Sequence, residues 1–257
     1  MSGHSKWATI KHKKGAADKA RGKLFARVLR QVEVAAREGG GDLDANPTLR
    51  TMYQKARDAS IPTDTIDRAV KRGTGELEGV RYEPVSYEGY GPAGVAVYVE
   101  CLTDNRNRTG ADVRSLFARN GGSSAEPGAV AWQFERKGVL TVTKGAAAAV
   151  GDEDGLMLLA LEAGAEDLTD EGEGWQVVTP ATDLARVREG LEGQGVAVAS
   201  AELTMVPTTI VDLTDAEEAR RVLRLVDALE DHDDVQAVHA NFDVPAPVLE
   251  ALGAAGD

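Results

Sequence analysis

The period of the hydrophobic pattern changes near residue 80, and this change limits the fold class. From Ala16 to Glu38, apolar residues recur every three or four positions, as in an amphipathic helix. Further helices are predicted from Pro47 and from about Thr63, so residues 16–75 form a helical domain. After residue 80, apolar and polar residues alternate, which is typical of half-buried strands. The chain is therefore predicted to be α+β, with a helical N-terminal domain.

The second part of the chain is predicted to contain strands that alternate with helices. Its first two strands are joined at the sequence GYGPAG, and Thr109 with Asp112 resembles a capping box that opens the next helix. A strand pair is then predicted over about residues 129–144. The elements that follow form a ferredoxin-like β-α-(β)-β-α-β pattern. They are a strand at 138–143, a helix at 153–163, a strand near 175–179, a helix at 181–192 and a strand at 196–206. A helix at 215–230 and a final strand end the pattern.

Positive charge is concentrated at one end of an acidic chain. The formal net charge is −13, yet residues 1–30 carry nine Lys or Arg and one acid, Asp18. Residues 31–75 are neutral, so the excess of acids lies beyond them. A basic segment on an otherwise acidic protein is typical of a binding site for a polyanion, because the positive charge is concentrated where the partner binds. Within it, Trp7 and His12 are aromatic side chains of the kind that stack on unpaired bases.

The sequence therefore predicts a nucleic-acid-binding arm and helix face. Solvated charge, with Trp7 tucked onto the helical domain, is the alternative that the residues leave open. The predicted contacts are Lys6, Trp7, Lys11, His12, Lys13, Lys14, Lys19, Arg21, Lys23, Arg27 and Arg30.

A second anion-binding candidate is the polar stretch TDNRNRTG at 103–110, between a strand and a helix N-terminus. The guanidinium groups of Arg106 and Arg108 suit phosphate or carboxylate, and a helix start adds free N–H groups. Asn105 and Asn107 complete this secondary loop. A plain loop with Asx turns is the alternative.

Other motifs do not support an enzyme, a metal site or a cofactor site. GYGPAG matches G-x-G-x-x-G, but a strand follows it where a dinucleotide site needs a helix. The four histidines lack metal-ligand spacing, and the single cysteine, Cys101, reads as a core residue. EDHDD at 230–234 reads as a solvated helix end with weak cation affinity at most. We expect no catalytic set, no metal and no cofactor. A lone cysteine and the lack of a long apolar run favour the cytoplasm, without a membrane partner.

Several segments together resemble the YebC/PmpR family. They are GHSKWATIKHKK, GGGDLDANPTLR, YEGYGPAG, CLTDNRNRT, ALEAGAED and LEDHDDVQAVHANF, in family order from residue 3 to residue 242. The chain departs from the family at Ala93, where the family usually has Gly. It also departs at NGGSSAEPGAVAW, which loosens the family's Gly-Asn pattern and leaves the role of residues 120–131 open.

The resemblance implies a helical domain followed by two α/β domains, with the third, ferredoxin-like domain inserted into the second. The corresponding boundaries are 1–78, then 79–134 with 207–257, and an insertion at 135–206. Bacterial members are described as DNA-binding transcriptional regulators, and mitochondrial relatives as translational activators. The expected function is a nucleic-acid-binding regulator of gene expression. The alternatives are a ribosome-associated factor that contacts ribosomal RNA and, less favoured, an enzyme that uses an interdomain cleft. The oligomeric state is not predicted.

Overall fold

A computed structural model describes residues 17–147, 150–151, 153–172 and 174–254. The helices are α1 Ala17–Gly39, α2 Pro47–Asp58, α3 Thr63–Thr74, α4 Arg106–Arg119, α5 Lys144–Ala147, α6 Glu153–Ala163, α7 Leu184–Gly193, α8 Ala216–Glu230 and α9 Ala246–Ala254. The strands are β1 Glu83–Tyr90, β2 Ala96–Thr103, β3 Ser123–Ala125, β4 Phe134–Thr143, β5 Asp167–Asp170, β6 Gly174–Pro180, β7 Val198–Pro207, β8 Val211–Asp212, β9 Val235–Ala240 and β10 Phe242–Asp243. The helices-first α+β prediction is confirmed.

The described residues divide into two compact units. Residues 17–27, 80–135 and 206–254 belong to the first unit, and residues 28–79 and 136–205 to the second. The first unit is interrupted in sequence by residues 28–79 and by residues 136–205. The division into three domains, with the third inserted into the second, stays a prediction.

In the second unit, the buried residue Asn46 organises the connection between α1 and α2. Its Oδ1 accepts a hydrogen bond from the N–H of Leu49 at 3.0 Å, so it caps α2 as the Asn-Pro sequence predicts. Its amide group donates to the carbonyls of Ala35 and Gly40 at 2.8 and 2.9 Å. One side chain thus satisfies backbone groups on both sides of the turn.

The sheet of the first unit is antiparallel, with strand order β3-β1-β2-β9. Alternate residues of β2, including Val97, Val99 and Cys101, are buried in one core with Val113 and Phe117 of α4. Helix α8 adds its apolar side to the same core. Both long helices of the unit therefore cover the same face of the sheet.

The second sheet has the order β5-β6-β4-β7. With α6 and α7 between the strands in sequence, this is the arrangement of a split βαβ fold. The ferredoxin-like prediction is confirmed, and β5 is the strand that the pattern left unplaced.

Two local predictions are wrong. Residues 129–144 do not form a strand pair, because Ala131–Gln133 is a short 3-10 turn that leads into the single strand β4. The predicted capping box is also wrong, because α4 begins at Arg106 and Thr109 lies buried inside it. Asn105 is the cap instead, and its Oδ1 accepts from the N–H of Arg108 at 3.1 Å.

Candidate nucleic-acid interface

The basic face of α1 is only partly open to solvent. Arg21 is exposed, and its guanidinium lies 5.4 Å from the centre of the Phe25 ring. Lys23 and Arg27 instead bind another helix of the same unit. The Nζ of Lys23 lies 3.0 Å from both the Oδ1 and the carbonyl oxygen of Asp231, and Arg27 donates to the carbonyl oxygen of Glu230.

These two cations bind the C-terminal end of α8. The last carbonyls of a helix lack partners within the helix and carry partial negative charge. Lys23 and Arg27 satisfy two of those carbonyls, and Lys23 also pairs with a carboxylate. A nucleic-acid phosphate offers the same chemistry, so it must compete with the end of α8 for these two side chains.

Two of the remaining residues predicted to contact nucleic acid lie on α1. Lys19 lies in the first turn of α1, and Arg30 is half-buried on the same helix. The arm residues predicted to contact phosphates or bases lie outside the described residues. They are Lys6, Trp7, Lys11, His12, Lys13 and Lys14.

The loop at 103–109 is built around the buried carboxylate of Asp234. The Oδ2 of Asp234 accepts from Thr109 Oγ1 at 2.7 Å, from Arg108 Nη2 at 2.8 Å and from Thr103 Oγ1 at 3.3 Å. Burial alone raises the pKa of Asp234. The bonds from Arg108 and Thr109, with the positive charge of Arg108, outweigh burial and lower that pKa below its ordinary value.

Arg106 and Arg108, although two residues apart, have different surroundings. Arg108 is bound to Asp234 and also to Asp104 at 2.8 Å. The side chain of Arg106 is 62% exposed, and its nearest carboxylate, Glu83, is 4.0 Å away. Asn107 is exposed, while Asn105 is used as the helix cap. Of the four predicted loop residues, Arg106 and Asn107 are exposed, and their side chains neither bind Asp234 nor cap the helix.

The segment EDHDD at 230–234 holds the first unit together, which the sequence pattern did not reveal. Asp231 binds α1 and Asp234 binds the 103–109 loop. The Nε2 of His232 lies 3.3 Å from Oδ2 of Asp112 on α4, and its Nδ1 accepts from the N–H of Asp234 at 3.2 Å. No local signal identifies these roles, because every partner is more than 100 positions away except within the segment itself.

A second buried carboxylate shapes the loop after β3. Glu88 accepts from the backbone N–H groups of Gly128, Val130 and Ala131 at 2.7, 2.6 and 2.9 Å. Burial raises the pKa of Glu88, but these three bonds outweigh it and lower the pKa. The segment 126–131, whose role the sequence leaves open, is thus held in a fixed conformation by a strand residue 40 positions earlier.

Among the described residues, no three His, Cys, Asp or Glu side chains are grouped so as to hold a metal ion. None of the described helices combines the length and the apolarity needed to cross a bilayer. Burial and the charges of Asp234 and Glu100 raise the pKa of the Cys101 thiol to about 12, so this cysteine is a core residue as predicted.

Comparison with known proteins identifies both parts of the chain. Residues 5–76 match the family described as TACO1/YebC protein N-terminal domain. Residues 82–242 match the family described as TACO1/YebC second and third domain. The change of period near residue 80 thus coincides with the gap between the two matches.

Full-length relatives are similar throughout. A "Probable transcriptional regulatory protein" of Halothermothrix orenii is 53% identical over 252 residues, which cover 98% of this chain and 99% of the relative. A protein of the same name from Beutenbergia cavernae is 55% identical over 253 residues, with the same two coverages. Among solved structures, the conserved hypothetical protein Aq1575 of Aquifex aeolicus matches with a TM-score of 0.83 and 45% identity, covering 93% of this chain and 97% of that one.

Proposed function

This chain belongs to the TACO1/YebC family, and we propose that it is a nucleic-acid-binding regulator of gene expression without enzymatic activity. The observation that carries the proposal is the charge distribution, with nine basic residues against one acid in residues 1–30 of a chain whose net charge is −13. The names of the curated relatives support a regulatory function.

Binding begins, in this proposal, with phosphate contacts made by the arm. Lysines neutralise phosphates as point charges and release counterions, which gives affinity without sequence readout. The arm residues Lys6, Lys11, Lys13 and Lys14 and the exposed Arg21 make these first contacts. The acidic remainder of the chain carries net negative charge, so it adds little to these long-range phosphate contacts.

Lys23 and Arg27 have a conditional role. In the described structure they bind oxygens at the end of α8. They contact phosphate only if the nucleic acid replaces those oxygens. Lys23 and Arg27 are partly exposed, and exchange of one anion for another costs little net Coulomb energy at a partly exposed site. These residues therefore add selectivity for highly charged partners more than they add affinity.

Two targets fit this chemistry, and they are duplex DNA and ribosomal RNA. Neither needs a recognition helix for the phosphate contacts, because those contacts carry no sequence information. We place the protein in the cytoplasm, where both are present in a bacterial cell, and the oligomeric state is left open.

Cross-linking in cells followed by sequencing of the attached nucleic acid tests the proposal. The full chain is compared with the variant in which Lys11, Lys13 and Lys14 are replaced by Ala. Reads concentrated on a few promoters identify a transcriptional regulator, and reads concentrated on one patch of ribosomal RNA identify a translation factor. The proposal would be contradicted if the full chain and the variant recover equal amounts of nucleic acid and the reads are concentrated at no site.

A further inference from the structure

The side chain of Trp132, in the first unit, is exposed to solvent. The residue lies in the 3-10 turn Ala131–Gln133 and is 70% exposed. Burial of a tryptophan removes a large apolar area from water, so exposure of this ring forgoes stabilisation. The other described tryptophan, Trp175, is buried.

Tyr90 lies beside Trp132. The Nε1 of Trp132 and the hydroxyl of Tyr90 both donate to the carbonyl oxygen of Ala129, each at 3.1 Å. Two exposed aromatic side chains are therefore bonded to the same oxygen, and Tyr90 is 36% exposed. Their polar groups are used within the protein, which leaves ring surface for recognition. We call these two residues the aromatic pair.

The aromatic pair is fixed before any ligand arrives. The three N–H bonds to Glu88 hold the chain just before Trp132, and Glu88 is two residues from Tyr90 on the same face of β1. On the other side of the turn, the carbonyl of Gln133 accepts from both the N–H and the hydroxyl of Thr208, at 2.8 and 3.0 Å. A ring fixed in this way loses little conformational entropy when it binds.

We propose that the aromatic pair stacks on an unpaired base of a single-stranded nucleic acid segment. Ring stacking is the interaction that unpaired bases make with exposed Trp and Tyr, and it needs no free polar group on the protein. This inference rests on the proposed function, to which it adds a site and a class of target: bases outside a duplex.

Arg119 is the candidate phosphate-binding residue next in sequence to β3, the strand that pairs with the Tyr90 end of β1. Tyr90 is paired with Ser123 across β1 and β3, and Arg119, at the end of α4, precedes Ser123 by four residues. The Cα atoms of Arg119 and Ser123 are therefore at most about 14 Å apart. Arg119 is exposed and forms no ion pair with any described residue. We assign this guanidinium as the phosphate partner of a nucleotide whose base stacks on the aromatic pair.

The test compares Trp132→Ala with wild type in the binding of three labelled probes by fluorescence anisotropy. The probes are an unstructured 20-nucleotide RNA, its DNA counterpart and a 20-base-pair DNA duplex. We expect Trp132→Ala to weaken binding of both single strands about tenfold and to leave duplex affinity within about twofold, because stacking is lost and phosphate contacts are kept. If wild type binds one of the two single strands more tightly, that preference shows whether the target is RNA or DNA. Trp132→Tyr keeps a stacking ring and should restore most of the loss.

Two controls make the result specific. Leu158→Ala removes an exposed apolar side chain of α6 and should change none of the three affinities. The melting temperature of Trp132→Ala should equal that of wild type, since the ring is mostly exposed. The triple variant of Lys11, Lys13 and Lys14 reports on the arm independently.

Several results would overturn the inference, and they separate it from the proposed function. If Trp132→Ala binds single strands as wild type does while the triple lysine variant binds weakly, the stacking site is wrong and the proposed function stands. Equal weakening on all three probes would also refute a base contact. Unchanged affinities with a loss of self-association in sedimentation would assign the ring to a protein contact. If wild type binds no probe at low salt, both the function and the site are wrong.

Discussion

Replacement of Glu88 by Ala removes a buried carboxylate that holds the loop before Trp132. The carboxylate accepts three backbone N–H bonds, and a bond to a charged group contributes about 1.5–3 kcal/mol. The three bonds are not additive, because all lie in one loop. Gly128 is exposed, so its N–H regains water when the carboxylate is lost, whereas Val130 is buried. We therefore expect a loss of about 3 kcal/mol in the free energy of unfolding.

The assay is thermal unfolding combined with amide hydrogen exchange. A loss of this size lowers the melting temperature of a chain of this length by about 6–12 °C. The amides of Val130 and Ala131 should exchange much faster in Glu88→Ala than in wild type. Glu88→Gln keeps one acceptor oxygen and should lose about half as much stability. Unchanged exchange at residues 128–131 and an unchanged melting temperature would refute this account of the loop.

The same carboxylate gives stability a pH dependence. The pKa of Glu88 is lower in the folded protein than in the unfolded chain. Its contribution is therefore complete above the unfolded pKa of about 4.3, and it is lost as the pH falls through the folded pKa. The difference in stability between wild type and Glu88→Gln should shrink as the pH falls below about 4. A difference that stays constant through this range would contradict the assignment.

Three further predictions concern other residues of the first unit. Arg108→Ala should lower the melting temperature because it leaves the buried Asp234 without its cation, whereas Arg106→Ala should leave it unchanged; equal effects in calorimetry would refute this division. Ala93 has a φ of 58°, so Ala93→Gly should raise the free energy of unfolding by about 0.5–1 kcal/mol in urea titrations. Gly94, with a φ of 75°, is its matched control, and Gly94→Ala should lower stability; changes of the same sign would contradict the reasoning. Native Cys101 should resist a thiol reagent at pH 8 and react on unfolding in urea, and rapid native labelling would show that it is accessible.

The elements with a strong local pattern could be predicted from the sequence. Asn46 and Pro47 mark the start of α2 because an N-cap and a first-turn proline act through neighbouring atoms. The alternation of β1 and β2 and the period of α8 identify the main core. The same signals explain why the ferredoxin-like order of the second sheet could be predicted before any contact was known.

The errors arose where a distant residue decides a local conformation. Thr109 resembles a helix cap, but its hydroxyl binds Asp234, and Asn105 caps the helix instead. The apolar run before β4 resembles a strand, but Glu88 takes its N–H groups and fixes a loop. Neither partner has a sequence signal that links it to its target.

Distant residues also decide which of the predicted basic residues of α1 are paired within the protein. Charge alone indicated α1 as a phosphate-binding helix, yet Lys23 and Arg27 bind the end of α8 more than 200 positions away. Leu24, one of the apolar residues that recur along α1, is exposed on the same stretch of the helix. Charge clustering thus predicts a polyanion partner without telling which cations are already paired inside the protein.

The measurement that tests the central claim most directly is the affinity for a DNA duplex and for a structured RNA as a function of salt. Wild type should show log affinity falling linearly with log salt concentration. Replacement of Lys11, Lys13 and Lys14 by Ala should flatten that slope by roughly 2–3. Substitution of Arg68 and Lys71, exposed cations of α3, is the matched control and should leave the slope unchanged. An identical slope in wild type and the arm variant would contradict the claim that the basic arm binds nucleic acid.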